Sequence, residues 1–137
     1  MELENLQQVV HQRSIVGIDI AAPEGTKLVA IVDGTVTRTA WGGAGGYTII
    51  ITSDEYTFSY CHSDQIFLVK EGEKVKKGQV IGKVGPKNVY GVPGNPYKDA
   101  NGNPTNGATT GCHCHFTVKR NGQTINPLEI LNEGGVI

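Results

Sequence analysis

An excess of basic charge is the first thing this chain lacks: 12 Lys and Arg stand against 13 Asp and Glu, for a formal net charge of −1. A protein whose main business is nucleic acid needs cationic side chains to displace counterions from phosphates, so that class is excluded. Cysteine is scarce and odd in number, with only Cys61, Cys112 and Cys114. Three thiols make no disulfide framework, so a chain of 137 residues must be held by burial of apolar surface, for which it is long enough. No apolar run approaches the roughly 20 residues of a spanning helix. Residues 1–5 are acidic and lack the basic, then apolar, pattern of a signal peptide. The expectation is one soluble domain, with no membrane segment and no signal peptide in this chain.

Charge is low at 18 %, while glycine is abundant at 19 residues. With frequent β-branched residues, this composition indicates a turn-rich β protein. The pattern along the chain agrees. Residues 1–14 read as a lead-in, with one or two helical turns over 2–11. Strand signals begin at 15–20, followed by the Pro23-Glu24-Gly25 turn. Strands are expected at 28–32, 35–41, 47–52, 56–62, 66–69, 79–84, 113–119 and 123–125. Asp33-Gly34, Ser53-Asp54-Glu55 and Asn121-Gly122 are read as hairpin turns, and 126–131 as a short helical end. Residues 85–111 are rich in Gly, Pro and Asn and show no apolar period. A loop this long is usually functional or mobile. The fold class is all-β and antiparallel, with one long loop insertion.

The sharpest chemical feature is Gly111-Cys112-His113-Cys114-His115-Phe116. Side chains two apart on a strand share a face, so His113 and His115 project together, suited to binding a metal or to dividing binding and proton transfer between them. An exposed strand is the alternative for an isolated His-x-His. Tyr60-Cys61-His62 and Gly17-Ile18-Asp19, before its turn, would each be unremarkable alone: a structural histidine and a turn-stabilising aspartate.

Taken in order, these pieces resemble the lysostaphin/LytM family of zinc metallopeptidases. Matching segments are Asp19-Ile20-Ala21-Ala22-Pro23-Glu24-Gly25-Thr26, Asp33-Gly34-Thr35-Val36, Trp41-Gly42-Gly43 and Tyr60-Cys61-His62. They continue with Val69 to Gly82, which carries Gly78-Gln79-Val80-Ile81-Gly82, and end with Thr110-Gly111-Cys112-His113-Cys114-His115-Phe116. The resemblance spans 15–131, leaving 132–137 as a tail. It implies a β-barrel-sandwich hybrid core and a bacterial cell-envelope or extracellular protein acting on peptidoglycan. It also implies that Asp19 and His115 are metal ligands, and that His62 and His113 are the catalytic pair serving the attacking water and the developing oxyanion. Tyr60, Tyr90 and Tyr97 are expected to line the substrate groove.

Two departures matter. The family's first ligand histidine lies four positions before Asp19, where this chain has Ile15, whose aliphatic side chain offers no lone pair. Zinc is the cofactor of a competent site. Asp19 and His115 alone under-coordinate it, because stable sites use three or four protein ligands. His11 stands eight positions before Asp19, about 26 Å away if extended, and nothing in Gln12-Arg13-Ser14 demands that the chain fold back. By strand parity, Cys112 and Cys114 face away from the histidines and Cys61 faces away from His62, so all three thiols are expected to be reduced and largely buried. The second departure is the insertion at 86–108, roughly twenty residues longer than a common connection. Its Asp99-Ala100-Asn101-Gly102-Asn103 faintly echoes a calcium loop but lacks the terminal glutamate.

The expected function is therefore a degenerate cell-wall peptidase domain that binds a peptidoglycan peptide or an envelope protein. The alternative is an active zinc endopeptidase that cleaves cross-bridge peptides. A carrier-domain reading of 69–82 fails for want of a lysine in a hairpin-tip motif.

Overall fold

The computed structural model of the protein describes residues 10–14 and 17–127. The strands are β1 (Val10–Ser14), β2 (Gly17–Ala21), β3 (Lys27–Val29), β4 (Gly34–Trp41), β5 (Tyr47–Ser53), β6 (Tyr56–Cys61), β7 (Lys74–Val75), β8 (Val80–Lys83), β9 (His113–Arg120) and β10 (Gln123–Ile125). The larger sheet runs β1-β2-β9-β6-β5-β4-β7, with β10 continuing beside β9 beyond β2, and β3 and β8 form a separate pair. Every pairing is antiparallel. The all-β expectation holds.

Alternation along the strands explains the layering. Ile18 and Ile20, Ile49 and Ile51, Phe58 and Tyr60, and Cys114, Phe116 and Val118 point to one face and are buried. They pack with Leu28, Ala30 and Ile81 of the smaller layer. Intervening residues, among them Asp19, His113 and His115, face the other way. Two turns follow the sequence reading. Asp54 adopts φ 53°, and Asn121 and Gly122 adopt φ 51° and 81°, the left-handed conformations a two-residue hairpin requires.

Four expectations are corrected. Residues 10–14, taken as lead-in with helical turns, form an edge strand that folds back on β2. Gln12 stands opposite Asp19, and the register slips between Val10 and Gln12, at His11. The extended-chain distance for His11 therefore does not apply. Asp33-Gly34 is not a hairpin turn, because β3 pairs with β8 while β4 pairs with β5 and β7. The chain changes layers there, and the Asp33 carboxylate accepts the Lys77 N–H at 2.8 Å, a tertiary link that turn chemistry alone does not reveal. The strand expected at 66–69 is a series of bends. Asp64 caps the Ile66 N–H at 2.8 Å, and Leu68 makes one ladder-like bond to Ile81. Finally, the strand at 28–32 is shortened to Lys27–Val29. Ile15, residues 1–9 and the end of the helical segment expected at 126–131 lie outside the described residues.

The insertion is an ordered lobe. Its two arms meet at the bridges Asn88↔Thr105 and Lys98↔Pro104. Asp99 is the hub: one carboxylate oxygen accepts the Asn101 and Asn103 N–H groups, and the other takes the Asn88 amide and the Lys87 ammonium. These contacts hold its carboxyl at about 2, with the Asn103 N–H the largest contributor. A carboxylate occupied in this way, with a lysine on it, has no oxygen left for calcium. The faint calcium echo is thus an Asx turn.

Candidate functional site

Three cross-strand pairs build the floor of the site. Asp19 on β2 stands opposite His115 on β9, and Ala21 opposite His113. His115 in turn stands opposite Cys61 on β6. Directly opposed residues share a face, so Asp19, His115 and Cys61 form a row across the sheet. Cys114, opposite Ile20, lies on the core face. The parity argument therefore succeeds for Cys114 and fails for Cys61, which shares the histidine face. Cys61 is covered because the glycine-rich turn, a 3₁₀ turn at Gly43–Gly45, folds over it. A Cβ on Gly45 would lie 3.0 Å from the Cys61 sulfur and 2.9 Å from the Thr48 hydroxyl. Burial raises the pKa of both Cys61 and Cys114 thiols. Cys112 is only half-buried, short of the expected burial, because it precedes the paired part of β9.

His62 joins the row by leaving its strand. Its φ of 61° is rare for a residue with a side chain and breaks the alternation that sequence parity assumed. Three bonds hold that conformation: His62 N–H to Gly45 O at 2.7 Å, Gly85 N–H to His62 O at 3.0 Å, and His62 Nδ1 to Asn106 O at 2.6 Å. A carbonyl can only accept, so Nδ1 is the protonated nitrogen and Nε2 keeps the lone pair. The residue is 5 % exposed. Burial lowers its pKa to about 4 against the opposing pull of the Asn106 bond. Its centroid lies 4.9 Å from that of His113 and 6.4 Å from that of His115.

Asp19 holds the other two rings. His115 Nδ1 donates to Asp19 Oδ1 at 2.5 Å, and His113 Nε2 lies 3.5 Å from the same oxygen. His113 Nδ1 meets the Thr109 hydroxyl at 3.2 Å. Gly17 makes room for the His115 ring: a Cβ there would lie 3.0 Å from its Nε2 and 2.7 Å from Phe116 O. The structure thus brings Asp19, His62, His113 and His115 together. It does not bring Tyr60 to them. Tyr60 is wholly buried on the core face, its hydroxyl accepting the Ile31 N–H at 3.2 Å, because it is the strand neighbour of Cys61 and points the opposite way. Tyr90 is 68 % exposed on the lobe. Tyr97 is half-buried at the lobe's base, its carbonyl accepting the Thr105 N–H. Sequence reasoning missed Asn106 and Thr109, whose roles arise from contacts that no local motif announces.

These residues do not fit a zinc ion as they stand. Two ligands each about 2.0 Å from a tetrahedral zinc sit about 3.3 Å apart, whereas Asp19 Oδ1 and His115 Nδ1 are 2.5 Å apart and hydrogen-bonded to each other, a contact that would have to open for both atoms to hold the ion. Among the described residues, no group of three or more His, Cys, Asp or Glu side chains is arranged to hold a metal.

Residues 13–96 match the sequence profile of peptidase family M23. The matched stretch ends inside the insertion, ahead of His113 and His115. The chain is 34 % identical over 120 residues to an uncharacterized metalloprotease of Haemophilus influenzae, covering 86 % of this chain and 21 % of that protein. It is 32 % identical over 117 residues to the murein hydrolase activator NlpD of Escherichia coli, covering 84 % of this chain and 25 % of that one. The chain therefore spans about a quarter or less of the length of these relatives. Among solved structures, the antimicrobial peptidase lysostaphin of Staphylococcus simulans superposes with a TM-score of 0.66 at 25 % identity, over 88 % of this chain and 45 % of that one.

Proposed function

Because the chain belongs to peptidase family M23, of the LytM/lysostaphin type, we propose that it is a degenerate member in the cell envelope. In this reading it binds a peptidoglycan peptide or an envelope protein through its histidine-lined groove and does not hydrolyse it. The observation that carries this is the direct Asp19–His115 bond at 2.5 Å, in a chain whose first-ligand position is Ile15. Asp19 takes up the imidazole N–H that a metal would have to displace, since a ligating nitrogen must be deprotonated. The likeness to NlpD, a murein hydrolase activator, points the same way. Asp19 and His115 are the remnants of the metal set. His62 and His113 are the former catalytic pair, now available as polar contacts, and Tyr90 and Tyr97 are candidate ligand contacts on the lobe.

The test is metal analysis of the purified protein together with Ile15→His. Little zinc is expected in the unmodified chain, and the substitution is expected to raise zinc affinity by at least tenfold by adding a third ligand. A second reading, an active zinc endopeptidase for cross-bridge peptides, is favoured by one observation: the fold-back of β1, which sets the register slip at His11 beside Asp19. Stoichiometric zinc in the unmodified protein, lost on His11→Ala, would put that reading in place of the first.

A further inference from the structure

We propose that Asn106 is the positioning residue of His62: its carbonyl holds the ring as the Nδ1–H tautomer, and its side chain ties that carbonyl to the neck of the inserted lobe. The residue is fully buried and every polar atom it has is engaged. Its Oδ1 accepts the Tyr47 N–H at 3.0 Å, and its Nδ2 donates to Ser63 O at 2.8 Å and to Pro86 O at 3.4 Å. Its N–H donates to Lys87 O at 2.9 Å, and its own carbonyl receives His62 Nδ1 at 2.6 Å. The surroundings are cut to fit: a Cβ on Gly46 would lie 2.2 Å from Asn106 Oδ1, and one on Gly85 would lie 2.7 Å from Nδ2. Asn106 therefore joins the start of β5, the segment after His62 and the first residues of the lobe at one point.

The chemical consequence concerns the ligand, and it rests on the binding reading above. With Nδ1 committed, His62 offers the groove only an acceptor, at Nε2. The complementary group is a donor, such as a peptide N–H or a protonated amine of a cell-wall peptide. Released from Asn106, the ring exchanges between tautomers and presents an acceptor for only part of the time. Distortion of the lobe reaches the groove by this route.

The experiment is long-range ¹H–¹⁵N correlation of the imidazole nitrogens in the full chain after chelator treatment, at one fixed neutral pH. In the unmodified protein, His62 is expected to show a protonated Nδ1 and a bare Nε2. In Asn106→Ala its two nitrogen shifts are expected to move toward each other, while the patterns of His113 and His115 stay in place. A merely structural asparagine would leave the His62 pattern unchanged. That result, or an Nε2–H tautomer in the unmodified protein, overturns the proposal. If Asn106→Ala does not fold, Asn106→Asp is read in the same way, since it keeps the acceptor for Tyr47 and loses both amide donations. Zinc content is measured separately, so failure of the degenerate-site reading is recognisable apart from failure of this one.

Discussion

Several side chains of this protein are placed by what a neighbouring residue lacks. Gly17 is the clearest case, because its missing Cβ is the space that the His115 ring, Phe116 O and Thr117 Cγ2 occupy. Gly17→Ala is expected to cost about 1–3 kcal/mol through overpacking, read as a lower urea midpoint, and to disturb the His115 signals before those of the distant β4. An unchanged midpoint would show that the strand relaxes around the methyl. The thiols separate at the same scale. Cys61 and Cys114 are buried with raised pKa values, whereas Cys112 is half-exposed. The thiolate is the reactive form, so a thiol reagent is expected to label Cys112 first and the other two only as the protein opens. Equal labelling rates for all three would contradict the placement of Cys61 beneath the glycine-rich turn.

Among the elements, the inserted lobe was legible as a loop but not as a structure. Its Gly, Pro and Asn content identified irregular backbone, yet the hub was hidden because Asp99 is satisfied partly by Lys87 and Asn88, far along the loop. A carboxyl held at about 2, against about 3.9 in an unfolded chain, stabilises the lobe when ionised. That contribution is complete above the unfolded value and is lost as pH falls from about 4 through about 2. Accordingly, the amide signals of Asn101 and Asn103 are expected to lose protection over that acid range in the unmodified protein. In Asp99→Asn they are expected to lose it already at neutral pH. Retained protection in Asp99→Asn would remove the carboxylate from its role as hub. The element errors have different causes, one local and one tertiary. Propensity marked 66–69 as strand, but the Asp64 cap on Ile66 bends the segment away from the ladder. Residues 10–14 became a strand because β2 offered an unpaired edge, which is a tertiary circumstance.

At the scale of the whole molecule, β9 joins core and site. Its even-numbered residues Cys114, Phe116 and Val118 fill the core, while His113 and His115, opposite Ala21 and Asp19, face the other side of the sheet. Phe116 stacks on Phe58 at 6.2 Å and meets Tyr60 edge-on at 5.2 Å. Phe116→Ala is expected to cost about 3–5 kcal/mol, a large share of the roughly 5–15 kcal/mol that a domain commands. Urea unfolding checks the value, and a loss below about 1 kcal/mol would mean that the ring does not anchor the sheet.

The order of motifs, the all-β class and the separation of Cys114 from His113 and His115 were all determined by the sequence. Each depends on residue identity or on the two-residue repeat of a strand, both of which are local. The tertiary structure alone decided the rest: Cys61 on the site face, Tyr60 in the core, His11 folded back toward Asp19, and His62 fastened to Asn106 from 44 positions away. The physical reason is that strand parity holds only while the backbone stays extended. A single left-handed residue at His62 resets it, and the bonds that make that conformation tolerable come from segments that meet only when the sheet has closed.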